Sequence, residues 1–228
     1  MQVLSEWARA LEELFFPPEL TCGFCRERPA LDVGACRGCL DALHIRWEKR
    51  VLHGYPYFSL FPYQGFGRSL IHNLKFQGRY EVGVTLGVFL GLACREEPEL
   101  AKVDLLVPVP LAPGRLRERG FNQAALLADN IKGVWKRPIC HHVARTRETK
   151  PQSGLPLTAR KRNLHRAFAL LPGADFRGKC CLIVDDVITS GQTFYALARL
   201  LEQNGGRPVG LFAARTEAFG SELGAEKL

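Results

Sequence analysis

The sequence predicts an α/β fold in which a doubly wound parallel sheet follows a small cysteine-rich module. Two short, almost wholly apolar runs, at residues 103–107 and 181–184, are typical of strands that are buried on both faces of a parallel sheet. Each run is followed by apolar residues at helical spacing, at 124–131 and at 194–201. Because strands that alternate with helices form parallel sheets covered on both faces, this order predicts the doubly wound arrangement.

The same periodicities place the remaining elements. We expect helices at 1–16, 68–76 and 82–93, and strands at 55–66 and 209–214. The residues divide into two predicted domains, with an N-terminal helix and the cysteine module in 1–45 and the α/β domain in 46–228.

Length and composition fit this division. A chain of 228 residues that is 46% apolar can bury a full core. No apolar run reaches the roughly 18 residues that suggest a membrane span, and the first residues lack the pattern of a secretory signal, so we expect a cytoplasmic protein without a membrane span. Walker A, Gly-x-Gly-x-x-Gly, His-Glu-x-x-His and Gly-x-Ser-x-Gly motifs are absent from the sequence.

The positive charge is concentrated in one segment. The chain has a formal net charge of +8, and residues 115–166 contain 13 basic and 3 acidic side chains. Such a segment attracts polyanions, either nucleic acid or a small polyphosphate. A solvated basic face without a dedicated partner is the alternative.

Four cysteines form a metal-binding pattern, Cys22-x2-Cys25-x10-Cys36-x2-Cys39. Two close pairs can surround a tetrahedral ion, and four thiolates leave no open position, so we expect a structural Zn²⁺. Four unrelated buried thiols are the alternative. We interpret the other cysteines as small buried apolar residues; these are Cys94, Cys140, Cys180 and Cys181.

The stretch 181–193 carries the chemistry of the main domain. A buried strand leads to Asp185 and Asp186, and two carboxylates at the carboxyl end of a parallel strand suit the vicinal hydroxyls of a ribose. The following loop offers hydroxyls and backbone N–H groups at a helix N-terminus, which suit a phosphate; its residues are Thr189, Ser190, Gly191, Gln192 and Thr193. An ordinary strand–helix turn with an aspartate cap is the alternative.

This stretch resembles the phosphoribosyl pyrophosphate (PRPP) signature of type I phosphoribosyltransferases at all of its positions. The resemblance implies that fold, with Asp185 and Asp186 as catalytic residues that hold the ribose hydroxyls and with 189–193 holding the 5′-phosphate. It also implies Mg²⁺ on the pyrophosphate and ribose oxygens. Some members of the fold bind nucleotides without catalysis, so the resemblance leaves turnover open.

Three further blocks, at 107–123, 149–152 and 160–168, precede the acidic pair in an order that resembles the ComF family, which is associated with competence and DNA uptake or use. The cysteine module and residues 73–76 extend the resemblance over nearly the whole chain. It implies a mobile segment within about 146–163, the hood, which closes over the site. It also implies a group of basic residues that binds pyrophosphate or another polyanion, formed by Arg115, Arg117, Arg119, Lys161 and Arg162.

Three functions follow as hypotheses. The protein is a phosphoribosyltransferase that uses PRPP, a protein that handles single-stranded DNA with the DNA-uptake machinery, or a non-catalytic nucleotide sensor. The first two are compatible in one protein. No motif in the sequence identifies an acceptor base.

Overall fold

The computed structural model describes residues 21–31, 33–146 and 167–216. The predicted helix at 1–16 and most of the predicted hood, including Lys161 and Arg162, lie outside the described residues.

The described residues contain a five-stranded sheet, whose strands are β1 (Glu48–Leu52), β2 (Tyr55–Pro62), β3 (Leu105–Pro108), β6 (Cys180–Ile188) and β7 (Arg207–Arg215). Their order in the sheet is β1–β2–β7–β6–β3. All neighbouring strands run parallel except β1, which pairs with β2 in an antiparallel hairpin. A separate antiparallel pair is formed by β4 (Val143–Arg145) and β5 (Phe168–Leu170). The predicted parallel sheet is confirmed, with an antiparallel edge strand added.

Helices follow the strands as the apolar spacing predicts. They are α1 (Arg37–Leu43), α2 (Gly65–Phe76), α3 (Tyr80–Glu96), α4 (Pro113–Arg119), α5 (Gln123–Trp135) and α6 (Gln192–Gln203), with a 3₁₀ turn at Pro98–Leu100. The four predicted helices that fall on described residues are confirmed as α2, α3, α5 and α6. None of the helices in the described ranges has the length and apolar character that crossing a membrane requires.

Helices cover both faces of the sheet, as a doubly wound fold requires. On one face, Leu182 and Val184 of β6 belong to the apolar cluster that contains the buried residues of α2, α3 and α5. On the other face, Cys181 and Ile183 belong to the cluster that contains Phe194 and the other buried residues of α6. Adjacent residues of one strand therefore enter two different cores, which explains why the sequence of this strand is apolar without alternation.

Helices α3 and α5 pack closely because α3 has a row of glycines. Gly83, Gly87 and Gly91 lie one turn apart and face α5, where a Cβ atom on each would meet Leu126, Asn130 and Val134, respectively. The contact brings α5, and with it the loop after β3, into a fixed position beside the carboxyl ends of the strands.

Candidate functional site

Strand β6 is longer than predicted and contains the acidic pair. We expected the strand to end at residue 184, but it continues to Ile188, and Asp185 pairs with Phe212 of β7. Both carboxylates are thus fixed by the sheet and not by a loop. Asp186 is buried, with 4% of its surface exposed, whereas Asp185 is half-buried.

A lysine from a helix that is distant in the sequence forms an ion pair with one of the two aspartates. The Nζ atom of Lys75, in the last turn of α2, lies 2.8 Å from Oδ1 of Asp186. This ammonium group neutralises a carboxylate that would otherwise be buried without a counter-ion. The sequence prediction did not include Lys75 among the site residues, because a lysine at the end of an amphipathic helix has no local signal that points to Asp186.

Asp185 has an unusual electrostatic environment. Burial and the neighbouring Asp186 carboxylate raise the pKa of Asp185 to about 7, against opposing effects of Lys75, the Asp186 backbone N–H group and Arg145. Oδ1 of Asp185 accepts the hydrogen bond from that N–H group at 2.9 Å. The pair therefore contains one carboxylate matched by a lysine and one that changes charge near neutral pH.

The phosphate loop predicted from the sequence leads into α6. Thr189, Ser190 and Gln192 are exposed, Thr193 is half-buried and Gly191 is buried. No side chain caps the helix at Gly191, so the interpretation of this segment as an ordinary capped turn is not supported. The first N–H groups of α6 and two exposed hydroxyls are thus available to an anion.

Gly191 is required here for two structural reasons. Its φ of 62° lies in the left-handed region, where residues with a side chain are strained, and a Cβ atom would collide with Leu52 of β1. The glycine therefore fixes both the turn before α6 and the contact of that turn with the edge hairpin.

The arginines predicted to bind polyanions occupy different positions on α4. Arg115 and Arg117 are exposed, and Arg119 is half-buried with Nη1 donating to Oε1 of Gln123 at 3.1 Å. The pKa of Arg145, at the end of β4, is lowered first by burial and then by Arg115, while Asp185 opposes this. Arg115 and Asp185 thus both lie within electrostatic range of Arg145.

Gln123 is a second side chain that sequence reasoning missed. It is the first residue of α5 and only 1% exposed, and its Nε2 atom has no hydrogen-bond partner among the described residues. A buried amide donor without a partner is unfavourable. Polar residues at a helix start are common, so the sequence alone did not distinguish this one.

The four predicted metal ligands converge. The thiols of Cys22, Cys25, Cys36 and Cys39 all lie within 4.8 Å of one another. Sγ of Cys25 and Sγ of Cys36 are 3.9 Å apart, close to the roughly 3.8 Å expected between any two thiolates of a tetrahedral zinc site with Zn–S bonds of about 2.3 Å. The cluster can therefore hold a structural metal ion. Of the other cysteines, Cys94, Cys180 and Cys181 are buried as predicted, but Cys140 is only partly buried.

The fold and the site together define a class. The fold is that of a type I phosphoribosyltransferase, a mostly parallel sheet with helices on both faces. Its site has an acidic pair near the carboxyl end of a strand, before an uncapped helix N-terminus. Residues 119–214 match the family model described as the phosphoribosyl transferase domain.

Similar proteins identify the family within this class. Competence protein F of Haemophilus influenzae is 31% identical over 189 residues, which cover 81% of this chain and 79% of that protein. The DNA utilization protein YhgH of Salmonella typhi is 33% identical over 200 residues, covering 84% of this chain and 76% of that protein. Competence protein ComFC of Bacillus subtilis is 28% identical over 214 residues, covering 84% and 82%. The chain belongs to the ComF family of phosphoribosyltransferase-like proteins.

Proposed function

We propose that the site at the end of β6 binds PRPP or a related phosphorylated ribose, and that the protein is a phosphoribosyltransferase that acts in DNA uptake or use, or in nucleotide salvage. The observation that carries the proposal is the arrangement of Lys75, Asp186 and Asp185 directly before the uncapped N-terminus of α6. It combines acceptors for two vicinal hydroxyls with donors for a phosphate on one continuous strand–loop–helix segment.

Each part of the ligand has a proposed partner. Asp185 and Asp186 accept hydrogen bonds from the ribose hydroxyls, and Thr189–Thr193 surround the 5′-phosphate with hydroxyl and backbone N–H donors. Arg115 and Arg145 face the pyrophosphate, whose charge offsets their mutual repulsion. Arg119, Lys161 and Arg162 remain proposed contacts of pyrophosphate or another polyanion, and Arg117 is proposed to contact only a larger polyanion.

Mg²⁺ would be held here mainly by the phosphates of the ligand and less by side chains of the protein. One Asp186 oxygen is already paired with Lys75, which leaves Asp185 as the carboxylate more open to the ion. Mg²⁺ commonly keeps few protein ligands and is held mainly by phosphates. When bound, it would neutralise the pyrophosphate; Asp185 would orient the ribose.

The chemistry follows from these positions. The bond between ribose C1 and the pyrophosphate oxygen breaks, pyrophosphate leaves with the electron pair, and a nitrogen of the acceptor bonds to C1 and releases its proton. Positive charge develops on the ribose during this step, and the ionised Asp185 carboxylate stabilises it electrostatically.

Calorimetric titration of two variants with PRPP tests the ribose contacts. Asp185→Asn and Asp186→Asn replace charged acceptors by neutral amides of similar volume, and each should weaken PRPP binding about tenfold or more. A wild-type protein that binds no PRPP at millimolar concentration in the presence of Mg²⁺ would show that the motif is a remnant of the fold. Pyrophosphate release with a panel of nucleobases tests turnover and the acceptor.

The two exposed arginines of α4 provide a matched pair for the pyrophosphate contact. Arg115→Ala should weaken PRPP binding about tenfold, because a charge-assisted hydrogen bond is lost. Arg117→Ala removes the same charge from the same helix, two residues away, and should leave ribose 5-phosphate and PRPP binding nearly unchanged. Equal losses in both variants would mean that only the overall charge of α4 matters.

A second candidate is a non-catalytic protein that binds nucleotides or single-stranded DNA with the same fold. The printed names of the relatives, competence protein and DNA utilization protein, favour a role with DNA and with the DNA-uptake machinery. We infer a cytoplasmic location, where reduced thiols favour metal binding over disulfides, and Zn²⁺ as the ion of the cysteine cluster.

A further inference from the structure

Exposed aromatic side chains cluster where the turn between α2 and α3 meets the turn between α4 and α5. Phe76 is 60% exposed and Tyr80 is 48% exposed, although most phenylalanines among the described residues are buried. The ring of Phe76 lies 4.9 Å from that of His72, and the ring of Tyr80 lies 4.3 Å from that of Phe121. We call His72, Phe76, Tyr80, Phe121 and Arg119 the stacking surface.

The two turns hold these rings side by side. The first contains Gly78 and the second Gly120, both with positive φ, and a Cβ atom on Gly120 would lie 3.9 Å from the hydroxyl of Tyr80. Arg119 joins the two halves, because its guanidinium lies 5.2 Å from the Phe76 ring while the next aromatic residue along the chain, Phe121, contacts Tyr80. The two ring pairs are therefore linked through residues 119–121.

Positive charge surrounds the patch. Arg115 and Arg117 are exposed on α4, one turn or less from Arg119. The nearest acidic group on the other side, Glu81, is already paired with Arg26 and Arg79. Glu118 is exposed on α4 and is outnumbered there by the three arginines. A partner that presents flat rings along an anionic backbone complements both properties.

We propose that the stacking surface binds single-stranded nucleic acid by stacking unpaired bases on Phe76 and Tyr80, with the arginines of α4 contacting the phosphates. Bases of a duplex already stack on each other, so exposed rings of this kind select single strands. The inference goes beyond ribose transfer, because the rings are not part of the acidic pair or the phosphate loop. Phe76 is adjacent in sequence to Lys75, the partner of Asp186.

Fluorescence anisotropy with a labelled oligothymidylate tests the proposal. Phe76→Ala and Tyr80→Ala should each weaken binding by about 5- to 150-fold, the effect of losing one base stack, without changing the salt dependence. Phe76→Trp should restore the affinity. Arg119→Ala should reduce the slope of log affinity against log salt by about one, since one phosphate contact is lost.

Controls separate stacking from charge and from folding. Val51→Ala removes an equally exposed apolar side chain from β1 and should change nothing. A duplex of the same length should compete poorly. Equal binding by the wild type, Phe76→Ala and Tyr80→Ala, or equal competition by the duplex, would overturn the proposal, as would a loss of self-association by Phe76→Ala in sedimentation with no change in oligonucleotide binding. PRPP calorimetry on Phe76→Ala and Tyr80→Ala should be unchanged, so failure here is distinct from failure at the ribose site.

Discussion

At the scale of single residues, the ion pair between Lys75 and Asp186 connects α2 to β6 across the core. Both side chains are largely removed from water, so the pair differs from the surface ion pairs that the chain also contains, such as Lys49 with Glu99. Breaking a largely buried pair leaves a charge without compensation, whereas an exposed partner is simply hydrated. The Lys75 pair therefore has a structural role as well as its proposed role at the site.

Lys75→Met tests that role against a matched control. The variant should lower the free energy of unfolding by about 1–3 kcal/mol, because Asp186 loses its counter-ion. Lys49→Met makes the same change at an exposed pair and should alter stability by less than about 1 kcal/mol. Urea denaturation monitored by circular dichroism gives both values, and identical midpoints for the two variants would contradict the structural importance of the Lys75 pair.

The raised pKa of Asp185 predicts how stability depends on pH. Its pKa is about 7 in the folded protein, against about 3.9 for an aspartate exposed to water. The folded state therefore binds more protons than the unfolded state between these values, and stability from this group is present at low pH and is lost as the pH rises through about 7. Asp185→Asn removes this dependence.

We therefore expect Asp185→Asn to become more stable than the wild type above about pH 7 and to lose that advantage toward pH 4. Urea titrations across this range provide the measurement, with Asp175→Asn as a control at an exposed carboxyl whose pKa is lowered by the backbone and side chain of Arg177. A constant stability difference at all pH values would show that Asp185 does not titrate near neutrality.

At the scale of elements, apolar spacing predicted those strands and helices that bury a regular face. Strand β6 and helix α6 are examples, since each of their buried side chains packs into one of the two apolar clusters. Helix α4 was missed because none of its residues is buried, so its sequence has no apolar period. The end of β6 was placed too early, because the sheet pairs Asp185 with Phe212 although an aspartate has a low strand propensity.

The glycine row of α3 leads to a prediction at this scale. Gly87→Ala places a Cβ atom 2.5 Å from Cβ of Asn130 and 3.0 Å from the Leu127 carbonyl, so α3 and α5 must separate, and we expect a loss of about 1–3 kcal/mol in unfolding free energy. Gly133→Ala, on the exposed side of α5, meets nothing within 4 Å and should gain up to about 1 kcal/mol from helix propensity. Thermal or urea denaturation distinguishes the signs, and stabilisation of both variants would refute the close contact.

At the scale of the whole molecule, sequence reasoning can address only a site that is contained in one segment. The acidic pair, the phosphate loop and the four cysteines are each local patterns. Lys75 and Arg145 come near the acidic pair from α2 and β4, and Gln123 of α5 contacts Arg119 of α4; only the folded chain shows these contacts. Convergence of distant segments has no signal in spacing, which is why these three were absent from the predicted site.

The cysteine module is also joined to the rest of the molecule. Cys22, Phe24 and Cys36 belong to the same apolar cluster as the buried residues of α2 and α3. The ring of Phe24 stacks on Phe89 at 6.3 Å, and Arg79 donates a hydrogen bond to the Gly23 carbonyl. The module therefore packs directly on α3, and a metal ion held by the four cysteines would support one face of the main core.

This packing sets the expected effect of metal removal. We expect one zinc per chain, with an apparent binding free energy of about 10–16 kcal/mol, comparable to the stability of a whole domain. Cys39→Ser should abolish stoichiometric zinc and lower the urea midpoint of the main domain, because the unfolded module uncovers α3. Cys140→Ser changes a partly buried thiol outside the cluster and should keep both values. Elemental analysis and urea denaturation test this directly: zinc well below one per chain in the wild type contradicts the assignment of the ion, and an unchanged midpoint in metal-free Cys39→Ser contradicts the coupling of the module to the core.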